Sequence, residues 1–392
     1  MVDHKTGHKP EFVADVKKAL AAHGKWTQGQ RGGHQADFSF ADLSGLSLGR
    51  VGLSKAKLTG ACLAGTDFAG SDLSQATLVM ADLAGADLRG TNLMGADLRG
   101  VRLNGANLAD ANLAGADLRM GGAGSGGVPG RRSELVDAKL SRAMLMGSKL
   151  ENCDLTGAEL IDADLTGADL SGAILVATDL RGVTLTDVRL HGAVLSGLQL
   201  DTRTIAEILR LGFDPKGKLP LLAVQVPQLL QQHKLWVESG GSRGKRLDLD
   251  MVDLSAADFS GRDLSGARIL RSNLEGSRFR GTTLVLADLS YCSLGKADFS
   301  GGDLSGCVLR RADLSGASLK DAVLRRVPLG GDSDRPWPTN LQYARLAGAD
   351  LSCAEVEGAI FSYADLTGVR TSAALLAGAD LRGTCLDRAA DA

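Results

Sequence analysis

From Phe38 to Leu118 an apolar residue, Leu or Phe, falls at every fifth position, seventeen times without exception. A helix repeats every 3.6 residues and a strand every two, so a five-residue rhythm belongs to neither. A chain held to it must turn a corner in each copy. The frame resumes at Leu135 and runs to Leu200, fourteen times. It restarts at Leu249, runs seventeen times to Leu329, and runs again from Leu341 to Leu386, with Thr371 the one polar centre. Internal repetition on this scale sets the fold before any local propensity does.

The residue two before each centre is usually Ala, Ser, Thr, Val or Cys, and Gly is frequent two after it. One large and one small residue per five would point inward. Gly permits the corner. Asp or Asn, just before the centre, would face water. Phe259, Phe279 and Phe299 are spaced twenty apart, as are Asp67 and Asp87, and Asp97 and Asp117. Four copies per coil would stack such residues directly, at about the 4.8 Å spacing of paired strands. Leu83, Leu88, Leu93 and Leu98 would then form one coil of the interior.

The copies in 81–100, "ADLAGADLRGTNLMGADLRG", follow A(D/N)LxG. On these residues the chain resembles the pentapeptide-repeat family over roughly three quarters of its length. The resemblance implies an all-β solenoid, a right-handed quadrilateral parallel β-helix. It says little of function, because one fold hosts many roles.

The segments outside the frame predict caps and joins. Residues 10–26, "PEFVADVKKALAAHGKW", place Phe12, Val16, Ala19, Leu20 and His23 on one helical face, with Pro10 at the first position. Residues 227–236, "PQLLQQHKLW", end in the same His-x-x-Trp, so His23/Trp26 and His233/Trp236 are twins. Such helices would cover the open ends of a solenoid. "TRTIAEILRLG" reads as a further helix capped by Thr202 or Thr204 and stopped by Gly212, and "LPLLAVQV" after it would help close the first module. Breaks fall at 119–134 and 330–340. The layout is a tail and cap helix over 1–35, a β-helix over 36–200, a helical linker and second cap over 201–246, and a second β-helix over 247–388. Matching caps, counts and breaks argue for tandem duplication. Bulky residues in the small slot gather near run ends, as Leu46, Val51, Val183, Val188, Leu198, Leu247, Val252 and Val327, while Val101 does not fit. Arg262 occupies the same slot in an early coil, where its charge must be paired or reach out through the end beside the cap.

Composition narrows the chemistry. The chain of 392 residues is 44% hydrophobic but 4% aromatic, so its interior is narrow and aliphatic. A net charge of −2 argues against direct nucleic-acid binding and attraction to anionic membranes. No apolar run approaches a membrane span, and "MVDHKTGHKPEF" lacks a signal-peptide core, so a cytoplasmic location is expected. Six Cys without CxxC offer neither a disulfide framework nor a zinc site; Cys153, Cys292 and Cys307 sit in the small slot. Gly122-x-Gly124-x-x-Gly127 matches a dinucleotide fingerprint only on paper, with Pro129 directly after it. "GGSRGKR" at 240–246 has the wrong spacing for a phosphate loop, and His4 and His8 lie in a tail. Regular convex faces hold no pocket to move carboxylate pKa values apart, so neither an enzyme nor a cofactor or metal is expected.

Shape and surface therefore carry the functional expectation: a structural or protein-binding scaffold that presents flat faces and two break loops to an unknown protein partner. The loop candidates are Arg119, Arg131 and Arg132 in the first break and Asp332, Asp334, Arg335 and Trp337 in the second. The resemblance implies an alternative, protection or inhibition of DNA gyrase or topoisomerase IV by DNA mimicry, with a type II topoisomerase as partner. Against it, no face reads as an acidic stripe: Asp37, Lys57, Thr77, Asp97 and Asp117 share one face, and Asp258, Arg278, Asp298 and Ser318 another. The first break is basic, and "LDRAADA" is short for a dimer helix. A delivered effector on this scaffold is a third class, without a visible address.

Overall fold

The computed structural model describes residues 8–122, 130–212, 226–328, 336–371, 376 and 378–385. The chain divides into two compact units, Met1–Gly217 and Lys218–Ala392.

In the first unit, parallel bridges join residues twenty apart, from Asp37↔Lys57 to Asp97↔Asp117. Four repeats therefore complete one coil, and each side of the coil is a single bridge long. Each side is closed by a turn in which the residue three after the centre donates back to the centre's carbonyl, as Ala86 N–H to Leu83 O at 3.0 Å. Between coils the centre's N–H donates upward, as Leu83 to Arg102 O at 2.7 Å. The corner residue takes a positive φ, 64° at Gly85 for example, which explains the Gly slot.

Asp and Asn before the centre have a task beyond facing water. Each accepts the N–H two residues on, as Asp82 Oδ1 does from Ala84 at 3.1 Å, and so braces its own turn. Hydroxyls in the small slot are satisfied internally: Thr66 Oγ1 donates to Leu43 O and Thr91 Oγ1 to Phe68 O, both at 2.8 Å.

Leu83, Leu88, Leu93 and Leu98 are fully buried in one continuous core with the small-slot Ala residues. Helix α1, Pro10–Thr27, lays Val13 and Val16 onto that core. The short strands β1, Ile174–Val176, and β2, Val194–Ser196, pair in parallel near the other end. Helix α2, Thr202–Arg210, closes that end with Ile208 in the core. Its cap is Asp201, not Thr202 or Thr204: the carboxylate accepts from Thr204 N–H at 2.8 Å, and its other oxygen takes Gly182 N–H at 2.6 Å. Of "LPLLAVQV", all but Val226 lies outside the described residues.

The second unit repeats this plan. Helix α3, Val226–Glu238, precedes the coil, which opens with β3, Asp248–Asp250, paired in parallel to β4, Arg268–Leu270. Phe259, Phe279 and Phe299 are buried and stacked, with centroids 4.9 and 4.7 Å apart. Val327 pairs antiparallel with Trp337, so the last described centre before the second loop is Leu324, the sixteenth counted from Leu249. Leu329 and Leu386 lie outside the described residues. The second loop thus leaves one side of the coil earlier than the first.

Candidate interaction surface

Both loops are built alike. Partner spacing rises from twenty to thirty-two residues at Arg102↔Glu134 and at Val308↔Asn340, then returns to twenty. Each loop is clamped by one antiparallel pair, Gly121↔Arg131 at 2.9 Å and Val327↔Trp337 at 2.7 Å. A hydroxyl seals each re-entry. Ser133 Oγ lies 3.3 and 3.1 Å from Leu98 O and Arg119 O, and Thr339 Oγ1 lies 3.0 Å from both Leu304 O and Arg325 O. Val101 and Cys307 stand in the small slot directly beneath Ser133 and Thr339 in the coil below, which places the exceptional Val101 at a loop junction.

The first loop's arginines are not all available to a partner. Arg131 Nε donates to Gly100 O at 2.7 Å and Nη2 to Met80 O at 2.8 Å, so its guanidinium staples the loop to two coils. Arg119 forms a two-pronged pair with Asp117, at 3.0 and 2.7 Å. Arg132 is exposed. In the second loop Trp337 is exposed, while Asp332, Asp334 and Arg335 lie outside the described residues. Arg131→Ala is expected to release the first loop and speed tryptic cleavage at Arg119 or Arg132 about tenfold, since charged hydrogen bonds to buried carbonyls are lost. Peptide mapping over a digestion time course checks this, and an unchanged rate would refute the staple.

One side of the second unit stands apart. It is carried by Leu289, Leu309, Leu341 and Phe361, and its outward row runs Asp288, Val308, Asn340, Ile360, Asp380. Along one edge the loop brings Val327 and Trp337 against Gly306 and Leu286; a Cβ at Gly306 would come within 3.2 Å of all three side chains. Along the other edge run Tyr291, Arg311, Tyr343 and Tyr363, one per coil. These are all the tyrosines of the chain. Tyr343 and Tyr363 stack at 5.1 Å, Arg311 covers Tyr343 at 4.8 Å, and Arg310 Nη1 donates to Tyr291 Oη at 3.0 Å.

Leu286, Trp337 and Tyr363, at 39, 46 and 57% exposure, are the exposed large apolar side chains described in the second unit, and all lie on this side. The three tyrosines and Leu286 hold φ between 56° and 63°, where Gly is at ease and a bulky residue is strained by about 1 kcal/mol or more. Stacking offsets part of that cost. The sequence reading found Trp337 but missed the tyrosines, although their common corner position was legible once coils were aligned. A smaller apolar group, Met94, Met144 and Met146, lies on one side of the first unit.

Several outward carboxylates are paired with arginines. Arg89 grips Asp87, Arg99 grips Asp97 and Arg382 grips Asp380 within one side. Arg102 meets Asp82 and Arg278 meets Asp258 across coils, each at 3.0 Å. Ser260 and Arg278 together hold the Asp258 carboxyl down at about 2.

The capping histidines are wholly buried. His23 Nδ1 accepts Ala36 N–H at 3.0 Å, its Nε2 lies 3.0 Å from Ser54 O, and the ring stacks on Trp26 at 5.3 Å. His233 Nδ1 likewise accepts Leu247 N–H at 3.0 Å and stacks on Trp236 at 5.6 Å. Burial pulls both imidazoles below their ordinary pKa. The Gly-rich stretches after them serve tight passage over the cap: a Cβ at Gly33 would sit 2.3 Å from Trp26 N, and one at Gly244 2.2 Å from Gln232 O. His8 Nε2 lies 2.9 Å from Ser44 O, and His4, Gly124, Gly127 and Pro129 lie outside the described residues. Burial raises the thiols of Cys153, Cys292 and Cys307, that of Cys292 to about 12, and all six cysteines are free. Among the described residues no cluster of three His, Cys, Asp or Glu side chains suits a metal, and no helix is long and apolar enough to cross a membrane.

No curated protein matches the chain in sequence. Similar solved structures include HetL, a pentapeptide repeat protein involved in heterocyst differentiation regulation from the cyanobacterium Nostoc sp. strain PCC 7120, at 22% identity over 92% of this chain and 91% of that one, TM-score 0.21. A trypsin-treated variant of QnrB1, a plasmid-mediated fluoroquinolone resistance protein, is 22% identical over 46% of this chain and 93% of its own, TM-score 0.30. A pentapeptide repeat protein from the Arabidopsis thaliana thylakoid lumen is 29% identical over 28% and 67%, TM-score 0.23. The model for pentapeptide repeats matches residues 36–75, 53–90, 91–120, 133–172, 163–197, 253–290, 287–326, 339–370 and 361–389, and with most of its length so matched the chain belongs to the pentapeptide-repeat family.

Proposed function

We propose that this protein is a non-enzymatic, protein-binding scaffold on two right-handed, four-sided β-helices that arose by tandem duplication, and that it binds a protein partner through the Trp337–Tyr363 side of the second unit. The observation that carries this reading is the gathering of that unit's exposed Trp, Tyr and Leu side chains onto one side. Trp, Tyr and Arg are the residue types that dominate binding energy at interfaces. Six free thiols suit a reducing, cytoplasmic setting.

The test is capture of partners on immobilised full-length protein, compared with the double variant Trp337→Ala/Tyr363→Ala and with Met94→Ala in the first unit. Removing two aromatic anchors is expected to weaken retention of a specific partner at least about a hundredfold, at roughly 2 kcal/mol each. Met94→Ala is expected to leave it unchanged. Equal capture by all three proteins would remove the reading.

DNA mimicry requires an unbroken row of negative charge. Outward rows such as Asp37, Lys57, Thr77, Asp97, Asp117 and Asp258, Arg278, Asp298, Ser318 instead mix acidic, basic and neutral residues, and several of their acids are paired with arginine or lysine. Gyrase supercoiling in the presence of a quinolone is accordingly expected to be the same with and without this protein.

A further inference from the structure

The two caps offer an internal comparison. Both helices carry His-x-x-Trp, and both histidines accept the N–H that begins the coil. Their surroundings diverge on one side. In α1 the residues three and two before His23 and one after it are Leu20, Ala21 and Gly24, and the fourth small slot of the first run holds Val51, which packs against the core. The corresponding positions in α3 are Leu230, Gln231 and Lys234, and the corresponding slot holds Arg262.

Arg262 is the only charged residue in any small slot of the 58 repeats. It is no register slip: its N–H donates to Phe259 O at 3.2 Å and its carbonyl accepts Thr283 N–H at 2.9 Å, as at every regular repeat. The side chain instead leaves the coil near its capped end and lines a cleft of about 530 Å³ with Leu230, Lys234, Val237, Glu238, Asp263 and Leu264. That size suits a small ligand. Lys234 is tied to Glu238 at 3.7 Å, and Asp263 braces its own turn through Ser265 N–H at 2.9 Å. Arg262 is exposed and makes no side-chain hydrogen bond or ion pair among the described residues. His233 Nε2 faces the Leu264 backbone beside Arg262 without a well-formed hydrogen bond, whereas His23 Nε2 lies 3.0 Å from Ser54 O.

We propose that this cleft binds a small amphiphilic anion, with its carboxylate or phosphate monoester on the Arg262 guanidinium and its apolar body on Leu230, Val237 and Leu264. Guanidinium matches either group with two parallel hydrogen bonds, and apolar walls favour a ligand that is more than an inorganic ion. An acyl carboxylate and a soluble aryl phosphate share this chemistry. The site is independent of the aromatic side proposed for partner binding.

Calorimetric titration of the full chain with octanoate, phenyl phosphate and inorganic phosphate tests the proposal, in the natural protein and in Arg262→Val. Valine is the residue of the corresponding slot in the first unit, so the variant is expected to melt no lower. The expected result is saturable one-site binding of octanoate or phenyl phosphate, weakened at least about tenfold in Arg262→Val. Tighter octanoate identifies an acyl source, and tighter phenyl phosphate a soluble phosphate monoester. No binding of either organic anion, equal binding by Arg262→Val, or inorganic phosphate binding as tightly as phenyl phosphate overturns it.

Discussion

Phe279→Ala is expected to lower the stability of the second unit by about 4 kcal/mol. Phe279 is the middle ring of three, stacked on Phe259 at 4.9 Å and on Phe299 at 4.7 Å, and it has no exposure. Removing it empties a full ring volume from a bore one side chain wide. The neighbouring coils cannot collapse into the gap, because their spacing is fixed by hydrogen bonds of 2.7 to 2.8 Å above and below, from Phe279 N–H to Asp298 O and from Phe259 N–H to Arg278 O. Two aromatic contacts disappear along with the buried area. Phe279→Leu keeps most of the volume and is expected to cost far less. Denaturant unfolding followed at Trp236 and Trp337 reports the second unit, and Trp26 the first. A fall below about 1 kcal/mol, or an equal loss at Trp26, would mean the stacked rings are not a local keystone.

His23→Ala is expected to cost the first unit about 3 kcal/mol. The substitution strands the buried Ala36 N–H, at about 1 to 3 kcal/mol, leaves the half-buried Ser54 O without its partner, and removes the ring packed on Trp26. Loss of the cap exposes the bore and the first unpaired coil edge, so aggregation is expected to accompany destabilisation. Acidification should act through the same group. Burial lowers the folded pKa of His23 and of His233 from 6.5, so the folded protein keeps both rings neutral while the unfolded chain takes up protons. The unfolded state therefore binds more protons below about pH 6.5, and stability declines from there until the lower folded pKa values are passed. Urea titrations between pH 8 and 5 check the sign. A flat profile, or one that rises toward acid, would rule out neutral buried caps. His23→Gln should show a shallower decline.

Much of the fold could be read directly from the spacing of leucines. The five-residue register names which side chains are inside, since Leu83 through Leu98 and the three phenylalanines all occupy centres. Equivalence of the two caps was likewise legible, because His23/Trp26 and His233/Trp236 stand at nearly the same distance from the first coil, thirteen and fourteen residues from histidine to first small slot. Local hydrogen-bond competition was harder to read. Asp201 rather than a neighbouring threonine caps α2, and the outward Asp residues brace their own turns, because a short carboxylate reaches the N–H two or three residues on before it reaches water.

The loops mark where the sequence reading reached its end. Three arginines in the first break suggested a basic projection, yet Arg131 lies back over two coils and Arg119 holds Asp117. Counting centres gave matched runs of seventeen; Val327 pairs with Trp337 directly after the sixteenth centre of the second run, so the second loop emerges one side earlier. A repeat frame counts residues that keep its spacing, whether or not they keep its geometry.

The sequence by itself determined the period, the inward ladder of aliphatic residues and the capping helices, because each depends on spacing along the chain and on which side chains avoid water. Only the tertiary structure decided which distant residues share a surface. Trp337 and the tyrosine row flank one side of the second unit, and Arg262 comes beside α3, because coiling interrupted by a loop insertion brings together positions far apart along the chain.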